Sequence, residues 1–386
     1  MLGHPERRFP SIHIGGTNGK GSTCAFTAAE LEARGFEVGV YTSPHLVSVR
    51  ERIVAQGVPI GEEAFAEWTA FLKPHIERVD ASFFEATTAI AFADLAARGV
   101  DVAVIEVGLG GRLDSTNVIT PLVSVVTKVA LEHTDYLGPD LASIAREKAG
   151  IAKPGVPFVT GEQDPAVRAV LQAEAERRRA RPVVPVDTHR APTGPLGLRG
   201  AHQHANAWVA LAALNALPPS FGRPGDAWPA SFARAYAPGR FDVRGGGGEG
   251  GGGRWIFDVA HNPDGMEVVV ETLRDERPAR PLHALVGIRN DKNWRPMLDR
   301  LIPEVDRLML TVAPSVAPEK RWLREEMAGW AATQAEARVD TPVDFEPDFA
   351  RAVEAVQEGA VSVLVTGSFH TVGDALARLP GFAPVG

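Results

Sequence analysis

Residues 11–23, Ser11-Ile12-His13-Ile14-Gly15-Gly16-Thr17-Asn18-Gly19-Lys20-Gly21-Ser22-Thr23, leave little choice of local structure. An apolar strand runs into a glycine turn with one lysine, and the turn opens a helix over 24–34 rich in Ala, Leu and Glu. Such a turn lets backbone N–H groups approach an anion closely, and the helix start adds partial positive charge. Lys20 can reach outer phosphates as a point charge. The spacing departs from the common phosphate-binding loop, because Gly16 and Gly19 are separated by two residues rather than four. A tight strand–helix turn that binds nothing would also need glycines. It would not need Lys20 between two of them.

The rest of the chain agrees with an open α/β sheet. Apolar runs at 36–41, 100–107, 122–129 and 156–160 read as buried strands, and 84–97, 141–152 and 201–217 as helices. This alternation predicts a parallel sheet with helices on both faces. Residues 218–229 are rich in Pro and Gly, and 244–254 are almost all glycine, which reads as a surface hairpin between strands at 241–243 and 255–258. The alternation then restarts: strands at 255–258, 283–287, 307–312 and 361–366, with a helix at 266–276. The expected division is 1–236, a phosphate-binding parallel-sheet domain, and 237–386, a smaller Rossmann-like α/β domain.

Composition narrows the class. The 386 residues are 45% hydrophobic and 23% charged, as in soluble globular proteins. No apolar run has the length of a membrane span, and residues 1–10 lack an apolar signal core. Cys24 is the single cysteine, which excludes an internal disulfide and suits a reducing cytoplasm. A net charge of −8 gives no overall basic footprint for nucleic acid. A soluble cytoplasmic monomer acting on small molecules is expected.

Several residues at element ends carry metal or acid–base chemistry. Glu106 ends one apolar strand, at the edge where open sheets bind ligands, and can hold Mg²⁺. His133 follows the next strand, with Asp135 as a competing donor. Lys148, taken alone, reads as a surface lysine, since an ammonium cannot ligate a cation. Ser43, the polar segment 200–207 and Asp258 with His261 also follow strands or open helices. Each alone fits a turn or cap. Together they do not reduce to caps.

The chain resembles the folylpolyglutamate synthase/dihydrofolate synthase enzymes, relatives of the Mur peptide ligases. The resemblance is carried by Gly16-Thr17-Asn18-Gly19-Lys20-Gly21-Ser22, Tyr41-Thr42-Ser43-Pro44-His45-Leu46, Phe83-Phe84-Glu85, the stretch from Glu106 to Asn117 with Gly110-Gly111-Arg112-Leu113-Asp114-Ser115, His133-Thr134-Asp135, Lys148-Ala149-Gly150, His202-Gln203, Asn206-Ala207, Pro238-Gly239-Arg240, Asp258, His261-Asn262-Pro263 and Gly367-Ser368-Phe369-His370. These run in family order over nearly the whole chain. The glycine turn alone also fits Mur ligases; the Leu-Asp and Ser-Pro-His segments favour the folate branch.

The resemblance implies an ATP-dependent ligase that joins L-glutamate to dihydropteroate or to the glutamate tail of folates through an acyl phosphate. It implies that Thr17, Asn18, Gly19, Lys20, Gly21 and Ser22, with Asn206, Arg240, Asp258 and His261, bind ATP. It implies that Ser43 and Glu106 hold one Mg²⁺, that His133 helps hold a second, and that Lys148 is carbamylated and supplies oxygen ligands. Phe83, Phe84, Glu85, Leu113, Asp114 and Ser115 match the pterin pocket. Lys20, Glu106, His133 and Lys148 are the expected catalytic set. Few residues precede the cradle, where the family carries an arm over the pterin, and 185–200 is short. Two rivals are a Mur-type ligase of cell-wall precursors and a nucleotide-binding relative without ligase activity.

Overall fold

The strand β1 (Ser11–Gly15) is buried at every position, so both its faces must meet apolar layers. In the computed structural model, which describes residues 2–225, 227–245, 253–337 and 341–379, it does so as a central strand. It is followed by α1 (Lys20–Ala33), β2 (Val38–Tyr41), β3 (Ile53–Ala55), β4 (Val58–Pro59), α2 (Glu62–Val79), α3 (Phe83–Ala97), β5 (Val102–Glu106) and β6 (Val123–Val126). Then come α4 (Thr134–Leu137), α5 (Leu141–Ala149), β7 (Phe158–Thr160), α6 (Pro165–Arg177), β8 (Val183–Pro185) and α7 (His202–Asn215). The strand order is β4-β3-β2-β5-β1-β6-β7-β8. From β2 to β8 the neighbours are parallel, and β3 and β4 add an antiparallel edge.

The apolar strands read from the sequence are present but shorter, because their outer residues lie in turns. The helix after the cradle begins at Lys20, not at residue 24, so the lysine opens the helix. In α2 only Leu72 is fully buried, while Phe65, Trp68 and Ile76 pack partly on the core beside it at helical spacing. Two layers cover the sheet. Tyr41, Ile53, Leu95 and Ile105 pack on one face, and Val126, Ile144, Phe158 and Leu171 on the other.

A second sheet contains β9 (Asp242–Arg244), β10 (Arg254–Phe257), β11 (Leu282–Val286), β12 (Arg307–Leu310), β13 (Val343–Phe345) and β14 (Ser362–Thr366). Its helices are α8 (Pro263–Glu276), α9 (Trp294–Leu301), α10 (Arg324–Ala337), α11 (Phe349–Gln357) and α12 (Phe369–Arg378). The order is β13-β12-β11-β14-β10-β9, parallel except for the β9 edge. Along β11, Ala284 and Val286 enter one apolar layer and Leu285 the opposite one, the two-sided burial of a central parallel strand. The expected hairpin strands pair, with Arg244 opposite Trp255, while residues 246–252 between them lie outside the described residues.

The backbone forms two compact units. The first comprises the residues up to His45, Val49–Gly197 and His202–Tyr236; the second comprises Leu46–Ser48, Leu198–Ala201 and the chain from Ala237 onward. Among the described residues no helix is long and apolar enough to cross a membrane.

Candidate active site

In the first unit the chemistry collects at the carboxyl ends of β2, β5, β1 and β6, where an open parallel sheet forms its binding crevice. Gly16 and Gly19 take backbone angles that favour glycine, with φ of 139° and 90°. A Cβ on Gly16 would collide with the Thr127 hydroxyl, and one on Gly19 with the Asn206 side-chain oxygen. Asn206, on α7, is thereby set directly on the cradle. The first helical hydrogen bond runs from Thr23 N–H to Gly19 O at 2.9 Å, so the N–H groups ahead of it in the first turn have no acceptor within the helix. They are the donors an anion would meet.

Two ammonium groups converge on one carbonyl. Lys20 Nζ donates to Gly16 O at 3.0 Å and Thr17 O at 2.9 Å. Lys148 Nζ donates to the same Gly16 O at 2.9 Å and to Glu132 Oε1 at 2.8 Å. Lys148 is 1% exposed, which overturns the reading of a surface lysine. α5 places it near its last turn, facing back under the cradle. Burial lowers its pKa to about 8 against the pull of Glu132, and Lys20 adds to the lowering. For Glu132 burial alone would raise the pKa, but Lys148, with Lys20, overrides it and holds the carboxyl well below the ordinary range. The sequence offers no periodic signal for this pair, because Glu132 and Lys148 meet only once α4 and α5 have folded back.

Glu106 ends β5 beside Ile14 of β1 and is buried. Its Oε2 accepts the Ser43 N–H at 3.1 Å, which brings the two residues expected around a metal together. This pair fits Mg²⁺, which needs one or two protein oxygens and fills the remaining positions with water and phosphate. Among the described residues no group of three His, Cys, Asp or Glu is assembled as a cation cage. His133 is exposed, with φ of 47°, at the start of α4. Lys148 in its present form is a donor and ligates nothing.

The residues matched to the pterin pocket surround the same edge. Phe84 packs against Gly108, and its ring stacks 6.1 Å from that of Tyr41. Phe83 is exposed on one face, with the Arg52 guanidinium 5.3 Å above its ring. Arg52 is buried, donates to His45 Nδ1 at 2.9 Å, and was not marked by any sequence pattern. Leu113 is 80% exposed, an apolar side chain with nothing to bury it. Asp114 Oδ2 accepts from Leu109 N at 2.8 Å and Oδ1 from Thr116 N at 3.0 Å and from the Thr116 hydroxyl. Burial raises its pKa and these donors oppose the rise. Ser115 Oγ lies 2.9 Å from Thr88 Oγ1. Glu85 is exposed and spends its carboxylate on a capping box with Ser82, at 2.8 Å from the Ser82 N–H.

The second unit holds its own cluster after β10. Asp258 accepts from Phe241 N at 2.8 Å and Ala260 N at 2.9 Å. Burial lifts its carboxyl to about 6, and Arg240 opposes the rise. Arg240 lies 5.5 Å over the Phe369 ring, whose other neighbour is the His261 ring at 5.4 Å. Arg240, Asp258 and His261 are therefore brought together. His370 Nδ1 lies 2.9 Å from Ser315 Oγ, and Ser368 Oγ caps α12 and donates to Gly287 O.

A phosphate cradle on a parallel sheet, with a buried carboxylate that accepts the Ser43 N–H at the neighbouring strand ends and a second α/β unit, defines a nucleotide-dependent ligase of the Mur type. The middle-domain model of the Mur ligases matches residues 14–191, and the Mur ligase glutamate ligase domain matches 239–369. A dihydrofolate synthase/folylpolyglutamate synthase of Mycobacterium tuberculosis is 36% identical over 81% of this chain and 72% of its own. The folylpolyglutamate synthase structure of that organism, complexed with ADP and AMPPCP, superimposes with TM-score 0.85 at 33% identity, covering 99% of this chain and 93% of that one. The Yersinia pestis bifunctional enzyme, complexed with AMPPNP and a Mn ion, gives TM-score 0.77 at 32% identity over 95% and 88%. The chain belongs to the dihydrofolate synthase/folylpolyglutamate synthase family and is an ATP-dependent ligase.

Proposed function

We propose that this enzyme joins L-glutamate to dihydropteroate, to the glutamate tail of folates, or to both, as a monomer in the cytoplasm. The observation that carries the reading is the convergence of Lys20 and Lys148 on Gly16 O beside the Glu106–Ser43 pair. ATP transfers its γ-phosphoryl group to the substrate carboxylate, giving an acyl phosphate and ADP. The glutamate α-amine attacks the acyl carbon, loses a proton, and inorganic phosphate leaves. Mg²⁺ held by Glu106 and Ser43 would offset phosphate charge. Lys20 exchanges its two loop carbonyls for phosphate oxygens and offsets the charge on the transferring group. Residues 17–22 and Asn206 cradle the triphosphate, and Arg240, Asp258 and His261 are nucleotide-binding residues. Phe83, Phe84, Leu113, Asp114 and Ser115 hold the pterin end, with Glu85 at the rim. Residues 1–236 are the ATP-binding domain and 237–386 the glutamate-ligase domain.

A second Mg²⁺ and a carbamylated Lys148 belong to the same reading. Carbamylation needs a neutral amine, and a pKa of about 8 leaves about a tenth of Lys148 neutral at pH 7. The carbamate would turn a donor into an oxygen ligand beside His133, and Glu132 would give up its ion pair.

The test measures amide formation and ADP release with dihydropteroate and tetrahydrofolate side by side, each with and without L-glutamate. ADP release that requires both the pterin substrate and glutamate is expected. Release that requires neither, or glutamate transfer only to a cell-wall precursor, overturns the reading.

A further inference from the structure

His13 is a polar residue in the middle of the central strand of a hydrophobic sheet. It is fully buried. Along β1 its neighbours Ile12 and Ile14 point to the opposite face. Burial holds the ring neutral by lowering its pKa to about 3, and Lys153 adds to the lowering. An apolar residue would serve the sheet at less cost.

What the ring does is set by its tautomer. His13 Nε2 lies 2.8 Å from Thr116 Oγ1. The Thr116 hydroxyl gives its own proton to Asp114 Oδ1. The oxygen therefore has only lone pairs left for His13, so the imidazole carries its proton on Nε2. Nδ1 is then a bare acceptor, and it is buried with no hydrogen-bond partner among the described residues. The strand bears that cost to send one N–H through Thr116 to Asp114. Asp114 in turn ties the 108–116 segment together, taking Leu109 N with one oxygen and Thr116 N with the other. Thr116 is itself fully buried. The three side chains form one directional relay from inside the sheet to the loop that follows Glu106.

We propose that His13 is a positioning residue for the pterin substrate: through Thr116 it fixes the orientation of the Asp114 carboxylate. This rests on the reading that puts Asp114 in the pterin pocket. His13, buried in the sheet, touches no substrate itself. The competing role is a core histidine that merely stabilises the first domain.

Steady-state kinetics of the full chain separates the two. The variants are His13→Leu, His13→Gln, Thr116→Val, Asp114→Asn and the His13→Leu/Asp114→Asn double. His13→Leu and Thr116→Val are expected to raise KM for dihydropteroate by about tenfold, the size of one lost buried hydrogen bond. KM for ATP should move by no more than about twofold, since the cradle keeps its contacts. His13→Gln places an amide N–H where Nε2 was and should restore KM for dihydropteroate. The double variant should be no worse than Asp114→Asn alone. A raised KM in Asp114→Asn with none in His13→Leu or Thr116→Val overturns the relay and leaves the pocket reading standing. An unmoved KM in Asp114→Asn removes the pocket reading and the relay with it. A lower Tm in His13→Leu, with both KM values unchanged or shifted equally, assigns His13 to the core alone. Thr116→Val keeps the side-chain shape, so it carries the comparison if His13→Leu does not fold.

Discussion

Single residues decide the phosphate chemistry. Lys20 is partly buried, and among the described residues its ammonium donates to two carbonyls of its own loop. Lys20→Ala therefore removes charge with little packing, and is expected to lower kcat by at least about a hundredfold with Tm unchanged. Circular dichroism melts beside single-turnover assays check it; near-parent turnover at saturating ATP would count against the cradle. Lys148 differs, because its loss strands Glu132. Lys148→Ala should cost about 3–5 kcal/mol of stability by leaving a buried carboxylate unpaired. Adding Glu132→Gln should recover Tm but not turnover. Recovery of both would reduce Lys148 to a structural ion pair, and intact mass measured in bicarbonate reports whether it is carbamylated. The cradle lysine is legible in the sequence because one short segment supplies all its geometry. Glu132 is not, since its partner is 16 residues away and reaches it only after two helices and a turn are in place.

At the scale of elements, β1 does two jobs: it centres the sheet and carries His13. The ring's folded pKa is depressed from 6.5 to about 3. The unfolded chain binds a proton below pH 6.5 that the folded one refuses. The neutral ring's contribution is thus complete above pH 6.5 and is lost as pH falls toward 3, at about 1.4 kcal/mol per unit. Urea unfolding at pH 7 and pH 4 should show a larger loss for the parent than for His13→Gln. Equal losses would mean that His13 does not govern acid lability. Strands such as β5 are readable because both faces are apolar, and α2 carries a readable signal in Phe65, Trp68, Leu72 and Ile76, spaced to lie on one helix face, which the alternation of buried strands alone does not reveal. Sequence places the start of α1 too late because glycine and serine are weak helix formers, and it is Gly19, outside the helix with φ of 90°, that lets the turn begin at Lys20.

For the whole molecule, nucleotide binding couples to folding, because the cradle exists only in the native state. A non-hydrolysable ATP analogue with Mg²⁺ at a hundred times its Kd should add about 2.7 kcal/mol and raise Tm by several degrees. Chelation with EDTA should reduce the rise, and Lys20→Ala should abolish most of it. Differential scanning fluorimetry reads all three, and an undiminished rise in Lys20→Ala would place the nucleotide elsewhere. By itself the sequence determined the local devices: the strand–glycine–lysine–helix order, the two α/β alternations, the ordered motifs and the presence of the buried strands, all of which depend on neighbours within a few positions. Only the tertiary structure decided that Lys148 is buried against Glu132, that Asn206 closes on Gly19, that Glu85 caps its own helix and that His13 speaks to Asp114 through Thr116. Those pairs are made by strand order and by helices crossing back over the sheet. Strand order is set by how the apolar faces of the whole domain bury one another, which no local pattern records.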